Sequence, residues 1–397
     1  MYGGAMLRCI FILPRISAFI DHDVPPFTKG NRALTMGSVL VSPLNWGLGH
    51  ATRDIPVIHE LIRRGHDVTL AACGNALSAL RREFPENRFI DFVDYPAPYS
   101  SGSLFLPKFC AYLPVLLRAL AAERRSLSRI LSSDRYDLII SDNRLGVYSD
   151  RIPSLFITHQ LHFHFPPFIW PVELFTLLLN RVVQTRFERV IVPDNPPGPG
   201  SLAGKLSRPL LASSFSRLYY AGILATAQKL DIPEDLDLLV MISGPEPQRT
   251  IFEHTVLPQL PALDGTKVVL LGSPSRSTLT SPDPDTRIVS YADTSEKISL
   301  LNRARFVICR SGYTTMMELA EVQKRHGLFV PTPGQTEQEY LSAYYRERGW
   351  FASQSQYRLD LARDVAAAQP FAGFPVMPRT GQNVQRLYEE VLAPYAE

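Results

Sequence analysis

The chain has 397 residues, 45% hydrophobic and 20% charged, the make-up of a folded soluble protein, which excludes a disordered one. A net charge of +3 is too small to argue for a nucleic-acid partner. The length exceeds one comfortable core and predicts two domains of roughly 150–200 residues each.

Residues 1–35 show no hydrophobic period. The run MLRCIFILPRISAFI is broken by Pro14 and Arg15 and lacks a cleavage signal, so it reads as a loose tail or an over-long start before Met36. No run approaches the ~18 apolar residues that span a bilayer. A strand is predicted over 38–44, breaking into Asn45-Trp46-Gly47-Leu48-Gly49-His50. A helix over 51–64 follows, with Ile55, Ile58, Leu61 and Ile62 on one face, then a strand over 67–73. This is a parallel βαβ unit with short connections. Its loop is not GxGxxG and no acidic residue closes its second strand, which disfavours a nicotinamide dinucleotide. Further helices are predicted over 76–83, 106–131 and 172–185, and strands over 88–94, 137–142, 154–160 and 189–194, before a proline-rich loop at 195–201. The pattern restarts with strands over 217–221, 236–242, 267–271, 287–291, 306–309 and 328–330, a helix over 248–259, and helical spacing over 383–396. The expected fold is α/β: two facing, doubly wound, Rossmann-like domains at 36–216 and 217–378, with a cleft between them. Residues 379–397 are expected to pack near the domain junction. Cys9, Cys73, Cys110 and Cys309 lie far apart with no CxxC spacing, which fits reduced thiols in a cytoplasmic protein.

Residues 305–343 concentrate the chemistry. The strand at 306–309 runs into Arg310-Ser311-Gly312-Tyr313-Thr314-Thr315, a hydroxyl-rich turn opening a helix that carries Glu318. Free N–H groups at such a helix start cradle anions. The next strand ends at Pro331, and Glu337-Gln338 opens another helix. Ligands of parallel α/β sheets bind at this carboxyl edge. A nucleotide bearing a sugar would use the cradle, the carboxylate and the Glu-Gln pair together.

SPLNWGLGHATRDIPVIHELIRRGHDVTLAAC resembles the first βαβ unit of nucleotide-sugar glycosyltransferases with the GT-B fold. CRSGYTTMMELA and GLFVPTPGQTEQEYLSA resemble the donor site of the MurG type and of the broader UDP-glycosyltransferases. The likeness is specific in these two stretches and weaker in ISGPEPQRTIF. It implies a metal-independent, inverting transfer of a sugar from a UDP-sugar, such as UDP-N-acetylglucosamine or a UDP-hexose, to a hydroxyl of a glycan or lipid-linked acceptor. Carried over by position, Glu318 accepts the ribose hydroxyls. Ser311, Gly312, Thr314 and Thr315 hold the diphosphate, beside Arg310. Gln338, with Glu337 in place of the usual aspartate, contacts the donor sugar. Ser243 and Gly244 fall on the glycine-rich turn of the donor domain. Pro245 removes a backbone donor there, shifting phosphate binding toward Arg249 and Ser311.

His50 falls near the transfer point and suits a general base, its ordinary pKa lying near neutrality. Hydrogen bonding to phosphate and capping of the following helix are its other readings. Asp142 closes a strand at the same edge and is the second candidate base, or a helix cap. Asn45, Gly47, Gly49, Asn143, Arg144, His159 and Gln160 are the acceptor-side candidates. His159, His162 and His164 lack a companion carboxylate or cysteine, and Asp235/Asp237 and Asp283/Asp285 read as solvated turns, so no metal site is expected. Aromatic and aliphatic residues over 105–117 and 163–175 suit an apolar lip against a membrane or lipid-linked acceptor, at the inner face of the cytoplasmic membrane. A nucleotide-sugar epimerase on the same fold and a non-catalytic nucleotide-sugar binder remain the alternatives.

Overall fold

The computed structural model describes residues 36–94, 105–162, 184–209, 216–272, 281 and 283–396, with backbone only over 105–113. Ser38–Pro43 (β1) is an apolar run buried on both faces, as a central parallel strand must be. It pairs with Asp67–Ala72 (β2) on one side and Leu138–Asp142 (β4) on the other. With Arg88–Asp91 (β3), Ser154–Ile157 (β5), Arg189–Val192 (β6) and Leu218–Tyr220 (β7), they form a seven-stranded sheet in the order β3-β2-β1-β4-β5-β6-β7. The second sheet has six strands: Leu236–Met241 (β8), Lys267–Leu270 (β9), Thr286–Val289 (β10), Ala304–Cys309 (β11), His326–Phe329 (β12) and Ala352–Ser353 (β13). Their order is β10-β9-β8-β11-β12-β13, and the pairings in both sheets are parallel.

Strand order reverses between β1 and β4 in one sheet and between β8 and β11 in the other. A crevice opens at the carboxyl end of such a switch point, because the flanking connections leave to opposite faces. The loops there are Leu44 to Gly47 and Asn143 onward in the first sheet, and Ser243 onward and Arg310 onward in the second. Both sheets therefore place their unusual loops at the position the topology leaves open.

One boundary moves. Leu218–Tyr220, expected to open the second domain, pairs with β6 and closes the first sheet. Its three half-buried residues make a short edge strand, and Gly222 (φ 78°) turns the chain away after it. Two helices escaped the sequence reading, Thr294–Arg303 and Leu361–Ala368. The first carries a legible start signal, Asp293 accepting from the Glu296 N–H at 2.8 Å. The expected helix over 172–185 falls almost wholly outside the described residues, as does the apolar segment over 163–175. Among the described residues no helix is long and apolar enough to cross a membrane.

The chain's last turns return to the first sheet. Thr380–Leu387 continues through Tyr388–Leu392, and Val384, Leu387, Tyr388, Val391 and Leu392 share a core with Ile55, Ile58 and Leu61 of the helix Leu48–Arg63. Each such buried side chain contributes about 1.5–3 kcal/mol. His66 accepts from the Gly37 N–H at 3.2 Å and meets the Tyr388 hydroxyl at 2.6 Å, fixing that return. From Met36 on, the two sheets and their helices pack as one unit.

Candidate active site between the two sheets

β1 delivers Asn45, whose side-chain oxygen accepts from the Ala76 N–H at 3.0 Å and ties the loop to the next helix. Gly47 takes φ 101°, a conformation that favours glycine, and the helix Leu48–Arg63 starts immediately after it. His50 and Arg53 stand three apart on that helix, on one face. β4 ends at Asp142, directly across from Pro43. The three side chains meet. His50 Nδ1 lies 3.0 Å from Asp142 Oδ1, and Arg53 grips both Asp142 oxygens, through Nε at 2.6 Å to Oδ2 and through Nη2 to Oδ1. Arg53 Nη1 reaches His159 Nδ1 at 2.9 Å, beyond the end of β5.

Burial raises the Asp142 carboxyl, but the Arg53 charge and the hydrogen bonds from Arg53 and His50 outweigh it and hold the group below the usual carboxylate range. Burial pushes the His50 pKa down, opposed by Asp142 and reinforced by Arg53, and the balance lies below the ordinary histidine value. His50 is therefore neutral at pH 7. Nδ1 lies between the Asp142 carboxylate, which only accepts, and Arg53 Nη2 at 2.9 Å, which already donates to Asp142 Oδ1, so we assign the His50 proton to Nδ1, donated to Asp142. That leaves Nε2 as a free acceptor. Asp142 is fully buried. Its sequence-based role as a second candidate base gives way to one of holding His50, because both oxygens are engaged and neither meets the cleft. The neighbouring Asp54 is also fully buried, with neither oxygen hydrogen-bonded among the described residues. Burial and the Asp142 charge push its carboxyl well up, with the Arg53 charge opposing them.

From the second sheet comes the helix Tyr313–Glu321, capped by Gly312 with no side-chain bond to its first N–H groups. Those donors remain available for an anion, with Thr314 and Thr315 beside them. The helix start touches the first sheet's loop, where the Thr314 hydroxyl donates to the Gly49 carbonyl at 3.2 Å. Tyr313 stacks on His159 at 4.3 Å between ring centres and donates its hydroxyl to the Pro193 carbonyl at 2.7 Å. A Cβ on Gly49 would lie 2.7 Å from Thr314 Oγ1. Gly49→Ala is thus expected to cost roughly 1–3 kcal/mol, and Thr314→Ala in the same chain to restore most of it, as thermal melts of the single and double variants would show.

Glu337 and Gln338 stand in the first turn of the helix Thr336–Glu347. Gln160 donates to Glu337 Oε2, and His159 Nε2 lies 3.4 Å from Glu337 Oε1. Burial raises the Glu337 pKa, but His159, His50 and Arg53 together hold it below the ordinary value. Gln338 accepts from the Thr332 N–H at 2.9 Å, and its carbonyl accepts from the Ser311 hydroxyl at 2.8 Å. Ser243 and Gly244 are exposed at the end of β8, Gly244 with φ 116°. Glu318 lies one turn inside its helix, 2% exposed, with Lys297 Nζ 2.7 Å from both oxygens.

Three arginines have other occupations. Arg310 is buried and donates to the carbonyls of Ser243, Gln248, Val330 and Pro331 and to the Gln356 side chain, while burial lowers its pKa to about 10. It braces the loops around the cradle instead of facing phosphate. Arg249 gives Nη2 to the Leu271 carbonyl at 2.6 Å and Nη1 to Glu253 at 3.2 Å, its guanidinium likewise committed inside the lobe. Arg144, read as acceptor-side, is fully buried and donates to the Pro43 and Val93 carbonyls and to Glu123. Asn143 (φ 54°) makes the turn that buries it. Arg53, Asp54, Tyr313 and Lys297 were not singled out from sequence. The one available signal was the His50-to-Arg53 spacing.

Among the described residues no group of three or more His, Cys, Asp or Glu is placed to hold a metal ion. No family model and no curated protein sequence matches the chain. Solved structures do match over nearly the whole length. The glycotransferase of kitacinnamycin is 17% identical, covers 90% of this chain and 95% of its own, and gives a TM-score of 0.59. The spinosyn rhamnosyltransferase SpnG complexed with thymidine diphosphate is 14% identical over 91% of this chain and 98% of its own, with a TM-score of 0.54. MurG of Acinetobacter baumannii is 13% identical over 89% of this chain and all (100%) of its own, with a TM-score of 0.51. At these identities the likeness is one of architecture: the chain has the GT-B fold.

Proposed function

We propose that the protein transfers a glycosyl group from a nucleoside diphosphate sugar to an acceptor hydroxyl, with His50 as the general base. The observation that carries this is the Thr314–Gly49 contact, which sets an uncapped helix start beside a neutral histidine backed by a buried carboxylate. In one displacement, His50 Nε2 takes the acceptor's hydroxyl proton, and the hydroxyl oxygen bonds to the anomeric carbon. The bond from that carbon to the diphosphate oxygen breaks, and its electron pair leaves with the diphosphate. The helix N-terminus stabilises the charge that develops there. A single displacement inverts the anomeric centre, and it calls on no metal, since positive potential is supplied by backbone dipoles. The likeness of the Glu337–Gln338 segment to MurG-type donor sites supports assigning these two residues to the hydroxyls of the donor sugar. The acceptor is a glycan or lipid-linked hydroxyl. The donor nucleotide is UDP by sequence resemblance, with dTDP as the competitor suggested by the solved SpnG complex.

Thermal-shift measurements with UDP, dTDP and GDP and their sugars test the donor reading. A ligand at a hundredfold excess over its Kd stabilises the fold by about 2.7 kcal/mol. At least one nucleoside diphosphate is expected to raise the Tm, and Glu318→Ala to remove most of that rise. An unchanged rise in the variant would reject the ribose assignment, in keeping with Lys297 closing that carboxylate. No rise with any of them, together with no transfer, would reject the reading as a whole.

A further inference from the structure

General-base catalysis at His50 requires Asp142 at its back, and Arg53 has no part in that requirement. Yet Arg53 is 1% exposed and heads the fully buried side chains by size. Burying a guanidinium is costly unless its donors are all used. Here they are used on two functional-site groups, Nε and Nη2 on Asp142 and Nη1 on His159, and Nη2 also lies 2.9 Å from His50 Nδ1. His159 in turn stacks on Tyr313 of the cradle helix and faces Glu337. One side chain of the first sheet thereby touches both members of the catalytic pair and reaches, through one ring, two residues of the second sheet's half.

We propose that Arg53 is a positioning residue of the transfer site: its two-pronged hold on Asp142 fixes Oδ1 against His50, and its bond to His159 registers that pair with the Tyr313–Glu337 side of the cleft. This rests on His50 being the base. The charged and titratable groups facing Arg53 are His50 and Asp54 on its own helix, Asp142 at the end of β4, His159 after β5 and Glu337 from the other half. Removing the guanidinium leaves Asp142 free to turn and removes a positive neighbour from His50. The His50–Asp142 pair then keeps its proton to higher pH. Lysine in its place keeps a charge but cannot span both carboxylate oxygens and reach His159 as well.

Arg53→Met and Arg53→Lys decide the matter, read three ways. The His50 ring is titrated by NMR, with its Cε1–H signal assigned by loss in His50→Asn. The pH profile of kcat/KM is measured with an accepted donor, and the Tm rise with UDP or dTDP reports donor binding. The His50 titration is expected to move to higher pH in Arg53→Met, and by less in Arg53→Lys. The acid limb of the profile should move the same way, and kcat fall about ten- to hundredfold with donor KM and the nucleotide-induced Tm rise unchanged. An unmoved His50 titration in both variants, or a kcat loss matched by an equal loss of donor binding, would overturn the proposal. If Arg53→Met does not fold, the Arg53→Lys titration decides by itself. The titration needs no turnover, so a wild type that transfers no sugar would refute the activity while leaving the Arg53 question answered.

Discussion

His50→Ala is expected to lower kcat for sugar transfer by about 10²- to 10⁴-fold, the range for losing a positioned general base, while nucleoside diphosphate still raises the Tm as in the wild type. The two halves of this expectation come from different places in the molecule. On the proposed reading the donors for a diphosphate belong to the helix Tyr313–Glu321, whose Thr314 meets Gly49, the neighbour of His50. Base strength belongs to the His50–Asp142–Arg53 cluster. Because burial and Arg53 together keep His50 below its ordinary pKa of about 6.5, the wild-type rate should already be on its plateau at neutral pH. The sign for stability follows from the same depression. A histidine held neutral in the fold contributes stability above its unfolded pKa, which is lost as pH falls through the window down to the folded value. His50→Ala should therefore flatten the acid limb of the rate profile and reduce acid destabilisation together. Steady-state kinetics beside a Tm–pH series reads both. A variant that transfers sugar at the wild-type rate would remove His50 from the chemistry.

The loops at the two switch points were legible because glycine, hydroxyl and histidine residues at a strand end have few structural reasons to be there. Gly47, Gly49, His50, Ser311, Gly312 and Thr314 all stand out against the apolar runs that precede them, and the structure brings Gly49 and Thr314 into contact. Arginines were read less well. Arg310 and Arg144 also follow strand ends, where an exposed cation would meet an anionic ligand. Sequence does not reveal that carbonyls of neighbouring strand ends and loops sit within reach and, with the Gln356 and Glu123 side chains, take up these guanidinium donors. Arg53 failed in the opposite sense. Within an amphipathic helix an arginine reads as solvated surface, and only the fold places Asp142 and His159 on its inner side. The strand Leu218–Tyr220 was found as a strand but given to the wrong sheet, since a three-residue edge carries no record of its partner.

Asp142→Asn should be the most destabilising single-atom change in the site, and its neighbour Asp54→Asn among the least. Asp142 is the counter-charge for Arg53, and both are buried. Removing one partner of such a pair strands the other charge in the interior, at a cost of about 3–5 kcal/mol. The loss should be seen as a lower urea midpoint at pH 7, and transfer should fall with it because the asparagine amide cannot hold the His50 proton as an anion does. Acid dependence separates this from a general packing defect. A carboxylate whose folded pKa is depressed contributes stability above its unfolded value of about 3.9, lost as pH falls through the folded one. That contribution should vanish in Asp142→Asn, narrowing its gap to the wild type as the solution is acidified. Asp54 carries the reverse sign. Its folded pKa is raised, so the fold is penalised as pH climbs from about 3.9 toward the raised value. An asparagine escapes that penalty, and Asp54→Asn is expected to match or exceed wild-type stability at pH 8. If both variants lost stability equally at pH 7, the charge assignment within this buried cluster would be wrong, because two isosteric changes in coupled carboxyls would then be answering to shape and not to charge.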